Sequence, residues 1–128
     1  NPRVFGDGRR SATVGSQVDL NPTIADCLGL PSSAAWQGHS LFDPNRPLRA
    51  YFYAANDDYL FGVREYNWKY IYNATLGRDQ LFDLDRDPGE QTNVARDHPE
   101  ICERLRQRLA AWLQYEKKHL KRLHEATP

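Results

Sequence analysis

The chain has 128 residues, the size of one ordinary domain, and its 40% hydrophobic and 27% charged residues argue against a disordered chain. Lys plus Arg and Asp plus Glu each number 17, and this balance gives no support to a general nucleic-acid binder. No stretch of about 18 apolar residues is present, which excludes a membrane-spanning helix from this sequence. Whether the two cysteines, Cys27 and Cys102, form a disulfide stays open. The sequence contains no methionine, which we interpret as the sign of a processed chain or of a piece of a longer protein.

The first predicted element is a short helix over residues 19–29. Asn21 can cap its start, and Pro22 suits the first turn, where its missing N–H costs nothing. Gly29 is placed to end the helix in the left-handed conformation. The apolar residues that point to one side of this helix are Val18, Ile24, Cys27 and Leu28. Loops are predicted on both sides, over residues 1–17 and 31–48.

Residues 49–84 are predicted to form a sheet. Four runs are rich in aromatic and β-branched residues, namely Ala50–Ala55, Tyr59–Glu65, Asn67–Asn73 and Gln80–Leu84. The connections between the runs are short and turn-like, and the first is Asn56-Asp57-Asp58. Because so few residues join the strands, we expect an antiparallel meander rather than a parallel crossover sheet.

The longest predicted helix covers residues 98–125. Asp97 and Glu100 have the spacing of a capping box, with Asp in place of the usual Ser or Thr. The apolar stripe of this helix consists of Ile101, Leu105, Leu109, Trp112, Leu113, Leu120 and Leu123. The basic cluster near its end consists of Lys117, Lys118, Lys121 and Arg122. We interpret the stripe as the face that packs on the sheet, and the basic cluster as solvated.

Three aspartates in the segment after the last strand are spaced like the start of a calcium loop. In the EF-hand pattern that begins at Asp83, Gly is required at the sixth position and Glu at the twelfth. Those positions hold Pro88 and Val94. We therefore interpret Asp83, Asp85 and Asp87 as an acidic turn rather than as a metal site.

The remaining candidates for chemistry each lack a partner in the sequence. His119 and His124 are five residues apart, whereas zinc-binding pairs on one helical face are three or four apart. Cys27 is interpreted as a buried structural cysteine, and no evident base accompanies Cys102. Asn73-Ala74-Thr75 matches a glycosylation sequon. By residue chemistry alone, the sequence predicts an α+β domain without an assembled active site.

Three stretches, in this order and spacing, resemble the C-terminal end of sulfatases in the alkaline-phosphatase superfamily. They are Ser16–Pro31 with the following Gly38-His39-Ser40-Leu41-Phe42, then Gly62–Tyr72, and then Leu81–Ala95. The resemblance covers about residues 14–115. It implies a small four-stranded antiparallel sheet packed by a long C-terminal helix and preceded by a short helix, as the C-terminal piece of an alkaline-phosphatase-like α/β/α enzyme.

The resemblance also implies a division of the chain into two parts. Residues 1–48 would be the tail end of the large catalytic domain, and residues 49–128 would be the C-terminal subdomain. The upstream catalytic domain of the same polypeptide is then the expected partner, and nucleic acid is not. The face that meets this domain is expected to be apolar, and its exposure could drive self-association.

A sulfatase parent would hydrolyse sulfate esters with a formylglycine and a divalent cation, calcium or a similar ion. In the family, formylglycine forms from the first residue of a C-x-P-x-R or S-x-P-x-R motif. Neither Cys27 nor Cys102 has Pro at the required position, and the calcium-binding residues of the family lie upstream. No catalytic or metal residue is therefore assigned to this chain, which alone is expected to be inactive. His39 and Asn56, both in polar connections, are the candidates for contact with substrate.

Two alternatives stay open. The parent could be a phosphodiesterase or a membrane-anchored phosphoethanolamine or phosphoglycerol transferase of the same superfamily, with Thr or Ser as its nucleophile. Alternatively, the chain could be a free-standing interaction module. The substrate, the metal, the oligomeric state and the compartment also stay open, since the periplasm, the cytoplasm and membrane attachment of the parent all fit the sequence.

Overall fold

The computed structural model describes residues 11–125, apart from the side chains of residues 123 and 124. The predictions made for residues 1–10, for the side chains of Leu123 and His124, and for residues 126–128 lie outside this description. The chain divides into two compact units at the bond between Ala50 and Tyr51. The identity of residues 1–48 as the tail of a larger catalytic domain stays a prediction.

The first unit is built on one short helix. A 3₁₀ helix, Gln17–Asp19, leads directly into helix α1, Leu20–Cys27. As predicted, the chain after α1 enters the left-handed region at Gly29, whose φ is 66°. The predicted cap is wrong: Asp19 is the N-cap, and Asn21 lies inside the helix. The 3₁₀ helix explains the shift, because it has already brought the backbone into a helical path before Asn21 is reached.

The second unit combines a four-stranded sheet with one long helix. The strands are β1 (Arg49–Ala55), β2 (Tyr59–Glu65), β3 (Trp68–Asn73) and β4 (Arg78–Asp83), and the helix is α2 (Pro99–Glu125). The boundary between the units falls inside β1, after its first two residues. The order of the strands in the sheet is β1-β2-β3-β4, the same as their order in the chain. The predicted α+β fold with an antiparallel meander is confirmed.

The last strand starts two residues earlier than predicted and ends one residue earlier. Gly77 occupies the β3–β4 turn with a φ of 63°, which lets the chain reverse tightly. Pairing therefore begins at Arg78, directly opposite Asn73. It ends at Asp83, opposite Trp68.

Helix α2 packs on one face of the sheet and forms the core of the second unit. Val63, Tyr70 and Leu81 lie side by side across β2, β3 and β4 and are fully buried. Leu105 and Leu109 of α2 are buried in the same cluster. Burying a large apolar side chain contributes about 1.5–3 kcal/mol to a fold, so each of these residues is a substantial hydrophobic contribution to the unit.

Helix α2 is longer than the strands that it covers. Its 27 residues span about 40 Å, whereas the six or seven residues of a strand span about 20–23 Å. The helical stripe contributes to the core as far as Leu113, and Leu120 is 62% exposed. The prediction that Leu120 packs on the sheet is therefore wrong, because the helix has run past the core at that position.

The start of α2 also differs from the prediction. The helix begins at Pro99, and the N–H of Cys102 donates the first helical hydrogen bond to the carbonyl of His98 at 3.1 Å. His98 rather than Asp97 thus precedes the first turn. Pro99 favours this start, because proline has no N–H to satisfy at the first helical position.

Candidate functional site

The two residues predicted to contact substrate lie in different units. His39 is exposed in the connection between α1 and β1, and its backbone N–H donates to Oδ1 of Asp19 at 2.9 Å. Beside it, Gly38 approaches the chain so closely that a Cβ atom would lie 2.1 Å from the carbonyl oxygen of Val18. Asn56 is exposed in the turn between β1 and β2. Contact of either residue with a substrate stays a prediction.

A buried carboxylate holds the connection that carries His39. Besides the N–H of His39, Asp19 accepts the backbone N–H of Ser16 at 2.8 Å and Nη2 of Arg46 at 2.7 Å. The side chains of Asp19 and Arg46 are only 5% and 3% exposed. We refer to Ser16, Asp19, His39 and Arg46 as the Asp19 clamp. Because two of its bonds go to backbone groups, the clamp fixes the path of the chain as well as two side chains.

The charge of Asp19 is stabilised by its surroundings. Burial alone would raise the pKa of Asp19, but the N–H donors of His39 and Ser16, together with Arg46, lower it below its ordinary value. The guanidinium of Arg46 has two further nitrogens, Nε and Nη1, that are buried without a hydrogen-bond partner in the described part of the chain. The buried charge of Arg46 therefore depends on Asp19.

Two more side chains of α1 fasten the same connection. Oγ1 of Thr23 accepts the backbone N–H of Leu41 at 2.9 Å. The hydroxyl of Ser40 donates to Oδ2 of Asp26 at 2.5 Å. Thr23 and Asp26 follow Asp19 at helical spacing, so one polar face of α1 binds the connection at three points.

The sequence reasoning missed this arrangement. Its signal is the polar row Asp19, Thr23 and Asp26, which recurs at intervals of four and three residues. The row indicates a polar helical face, but Arg46 lies 27 residues away from Asp19 and no local pattern connects the two.

Another face of α1 is apolar and exposed. Leu20, Ile24 and Leu28 recur every four residues and are 54%, 53% and 65% exposed. Cys27 is half-buried, so the prediction of a buried cysteine is wrong. We refer to Leu20, Ile24 and Leu28 as the α1 stripe. Single exposed leucines are common on protein surfaces, but three aligned on one helix form a patch that fits a contact surface.

The second unit contains a hydrogen-bond network around a buried tyrosine. The hydroxyl of Tyr70 donates to Oδ1 of Asp79 at 2.6 Å and accepts from Nε of Arg106 at 3.2 Å, and Arg106 also pairs with Asp79. Burial raises the pKa of Tyr70 well above its ordinary value, and Asp79 adds to the effect. Tyr70 therefore stays protonated, and the network acts as a structural tie between β3, β4 and α2.

The thiol of Cys102 is also poorly suited to catalysis. It is buried and lies 3.6 Å from the carbonyl oxygen of Ala95, to which it donates. Burial raises the pKa of this thiol, and Asp79 contributes to the rise. A reactive cysteine needs the opposite shift, toward the thiolate. Both cysteines are free thiols in the structure.

The acidic turn uses its carboxylates to organise backbone and side chains. Oδ1 of Asp83 accepts the amide of Asn67 at 2.8 Å, which lowers the pKa of Asp83, and Oδ2 of Asp87 accepts the N–H of Thr92 at 2.8 Å. Among the side chains that the structure describes, no three His, Cys, Asp or Glu residues are grouped so that they could hold a metal ion. The described donors thus do not fit a divalent cation, and we assign no chemical step in this part of the chain to one.

The side chains of the glycosylation sequon form hydrogen bonds with the turns of the sheet. Nδ2 of Asn73 donates to Asp58 at 2.7 Å, and its Oδ1 accepts the N–H of Leu76 at 2.9 Å. Oγ1 of Thr75 accepts the N–H of Tyr59 at 3.0 Å. Since Asn73 is 8% exposed, its amide serves the folded structure.

Helix α2 is long enough to cross a membrane but too strongly charged. Of the helices in the described part of the chain, none combines the required length with the required apolar character.

The chain is similar in sequence to known sulfatases. No family model matches the chain. The chain is 34% identical over 120 residues to arylsulfatase K of Rattus norvegicus, an alignment that covers 80% of this chain and 21% of that protein. It is 41% identical over 91 residues to choline-sulfatase of Rhizobium meliloti, covering 62% of this chain and 17% of that protein. The chain therefore spans about a fifth of the length of these curated relatives.

A solved structure shares the fold. It is a protein in complex with its substrate D-glucosamine-2-N,6-O-disulfate, and the match has a TM-score of 0.72 at 21% identity. The match covers 91% of this chain and 27% of that chain. The sequence relatives and the shared fold confirm the resemblance found in the sequence, and the chain corresponds to the C-terminal region of a sulfatase-family protein.

Proposed function

We propose that this chain is the C-terminal subdomain of a hydrolase that acts on sulfate esters, and that it braces the catalytic domain of that enzyme. The observation that carries the proposal is the exposed α1 stripe, in a chain that spans only about a fifth of its relatives. One face of α1 is occupied by the connection that the Asp19 clamp holds, whereas the stripe is free to meet another surface.

The stripe has enough area to contribute to such a contact. Leu20, Ile24 and Leu28 each leave more than half of their surface exposed. Complete burial of such a side chain is worth about 1.5–3 kcal/mol, so burying the remaining half of all three would contribute about 3 kcal/mol.

The chemistry of the parent would lie in its catalytic domain. The family uses a formylglycine and a divalent cation, and the described residues of this chain do not fit a metal site. Cys27 and Cys102 do not lie in the motif that is converted to formylglycine. We expect the isolated chain to release no sulfate from an aryl sulfate above a boiled control, and release by the pure chain would contradict the proposal.

A matched pair of substitutions tests the bracing role. Ile24→Lys places a charge in the α1 stripe, and Leu76→Lys places one at a comparably exposed position of the second unit. In the isolated chain, both should leave the thermal midpoint nearly unchanged, because both sites already face solvent. In the full-length protein, Ile24→Lys should lower the midpoint by several degrees and Leu76→Lys should not. Equal effects of Ile24→Lys in the chain and in the full-length protein would contradict the contact.

The size of the native protein gives an independent test. An antibody raised against this chain should detect, on a denaturing blot of cells that make it, a band several times larger than 14.8 kDa. A single band at the size of this chain would favour a free-standing interaction module and would overturn the proposal.

The proposed role of His39 and Asn56 is to line one wall of the substrate cleft. What supports it for His39 is an exposed imidazole on a backbone that the Asp19 clamp holds in place. In the full-length enzyme, His39→Ala and Asn56→Ala should raise KM more than they lower kcat, whereas Asn45→Ala, in an exposed part of the same connection as His39, should change neither. Unchanged KM for both variants would remove these residues from the cleft.

A further inference from the structure

The end of helix α2 carries an unusual concentration of positive charge. Four of the 17 Lys and Arg residues of the chain lie within residues 117–122, and no acidic residue does. These four side chains, Lys117, Lys118, Lys121 and Arg122, are all exposed. They lie on the part of the helix that follows the last core residue, Leu113. The charge is therefore presented on a helical end that extends beyond the core.

The four cations share one side of the helix. Lys121 follows Lys117 by four residues, and Arg122 follows Lys118 by four, so the two pairs lie next to each other within about 7.5 Å along the axis. We refer to these four residues as the basic face. The residues that precede the basic face on this side are uncharged over almost three turns, namely Gln107, Ala110, Ala111 and Gln114. Glu103, which accepts a hydrogen bond from the Gln107 amide, is the next residue back on this side. A ligand that extends from the basic face along this side therefore covers about 20 Å before it meets that carboxylate.

The charges of the basic face are largely uncompensated. Lys121 lies 3.7 Å from Glu125, one turn further along the helix. In the described part of the chain, no ion pair is found for Lys117, Lys118 or Arg122. Like charges four residues apart slightly destabilise a helix, which offsets part of the stabilisation that cations near a helix C-terminus gain from the helix dipole. An anionic ligand would relieve the repulsion.

We propose that the basic face binds a sulfated polysaccharide, as a contact separate from the chemistry of the enzyme. This inference rests on the proposed function, which makes a sulfate ester the substrate. A small sulfate ester carries one anion and cannot reach four cations, whereas a sulfated polysaccharide carries several anions in a row. The basic face would hold such a chain by charge and keep it close to the enzyme between cleavage events.

The structure favours this ligand over a lipid surface. A membrane-binding helix carries a row of large apolar side chains that inserts into lipid. Within residues 117–122, Leu120 is the large apolar residue, and the four residues that precede the basic face on its own side are alanines and glutamines. Nucleic acid is a polyanion too, so the test below includes single-stranded DNA.

The test measures binding to the intact chain without turnover. The probe is a size-fractionated, fluorescently labelled heparin oligosaccharide, and the readout is fluorescence anisotropy at low and at physiological ionic strength. The test variant replaces Lys117, Lys118, Lys121 and Arg122 by Gln, which has a helix propensity close to that of Lys and Arg. The control variant, Arg78→Gln with Arg96→Gln, removes two exposed cations of the second unit that lie outside α2. Circular dichroism checks that both variants keep their helix.

The expected result is a Kd for heparin that rises at least about tenfold in the test variant and less than about twofold in the control variant. Added salt should weaken the binding by the wild-type chain, because exposed charges are screened. Hyaluronan, a polysaccharide that carries carboxylates but no sulfates, should bind at least about tenfold more weakly than heparin.

Three results would overturn the inference. They are an unchanged Kd in the test variant, equal losses in the test and control variants, and binding of hyaluronan, single-stranded DNA or phosphatidylserine vesicles as tight as that of heparin. Because the assay involves no turnover, these results leave the proposed sulfatase parent untouched. Conversely, a parent without sulfatase activity would refute the proposed function while the heparin affinity remained measurable.

Discussion

Replacing Asp19 by alanine should destabilise the first unit more than any other substitution at its polar face. The change removes the partner of the buried Arg46 charge and leaves the backbone N–H groups of Ser16 and His39 without their acceptor. Removing one partner of a buried ion pair costs about 3–5 kcal/mol, because the other charge stays buried and uncompensated. Asp19→Ala is therefore expected to unfold the unit or to leave it only marginally stable.

A second substitution separates the ion pair from the rest of the clamp. Arg46→Met removes the orphaned charge and keeps much of the side-chain volume. The double variant Asp19→Ala with Arg46→Met should therefore be more stable than Asp19→Ala alone, by about 2 kcal/mol. If the loss of unfolding free energy in the double variant instead equals the sum of the losses in the two single variants, the ion pair contributes nothing to stability. The clamp then acts only through its hydrogen bonds to the backbone.

The same pair predicts a dependence on pH. The pKa of Asp19 is lower in the folded chain than its ordinary value. Its ionised carboxylate therefore adds to the free energy of unfolding above about pH 4, and this addition is lost as the pH falls through the folded pKa. Asp19→Ala should remove this part of the acid-side loss of stability, whereas a substitution at the exposed Asn45 should not.

The assay must report on the first unit alone, because the chain divides into two compact units and a global unfolding signal would average over both. Amide hydrogen exchange provides this resolution. Protection of the His39 N–H should collapse in Asp19→Ala, and protection of the Tyr70 N–H in the second unit should stay as in the wild type. Unchanged protection at His39, together with a change in unfolding free energy below about 0.5 kcal/mol, would refute the reasoning.

Three further predictions concern single residues. Gly38→Ala should destabilise the first unit by about 1–3 kcal/mol in urea unfolding, because the new Cβ would lie 2.1 Å from the carbonyl oxygen of Val18; wild-type stability would show that the contact relaxes freely. Tyr70→Phe should cost about 1–2 kcal/mol near neutral pH and should reduce the loss of stability in alkali. Because the folded pKa of Tyr70 is raised, the protonated hydroxyl adds fully to the free energy of unfolding below about pH 10, and this addition is lost as the pH rises toward the folded pKa. Identical curves of unfolding free energy against alkaline pH for the variant and the wild type would argue against this. Iodoacetamide should modify the half-buried Cys27 well before Cys102, because Cys102 is buried and its burial raises the pKa of its thiol; peptide mass mapping that finds the reverse order would contradict this reasoning.

The sequence was sufficient to predict the second unit because its elements are local. Alternating aromatic residues and short turns predicted β2, β3 and β4 to within two residues, and the stripe from Ile101 to Leu113 predicted the packed face of α2. Leu120 has the same periodicity as the packed residues, but periodicity does not state how wide the sheet is. The stripe stops being buried where the helix extends past the edge of the sheet, and the length of the strands rather than the local sequence sets that point.

The first unit was harder to predict because its organisation is not local. Ile24 and Leu28 were predicted to share an apolar face, whereas Leu20 was not included in it. Amphipathicity predicts such a face but not what covers it. The polar row of α1 could have been read from the sequence, whereas the pairing of Asp19 with Arg46 depends on how a long connection returns to the helix. For the candidate site, the sequence identified His39 but gave no sign that its backbone is held by a buried carboxylate.

The strand order of the second unit has a consequence for the speed of folding. Every strand lies beside its neighbour in the chain, and the pairs that close the β2–β3 hairpin, from Glu65 with Trp68 to Leu60 with Asn73, are never far apart in sequence. The entropy lost on closing a loop grows with its length, so each strand can join the sheet at a small cost. Domains with such local contacts fold quickly, and we expect this unit to refold on the order of milliseconds. A meander of this kind leaves its hydrophobic surface exposed only briefly, which limits the time available for aggregation while the chain folds.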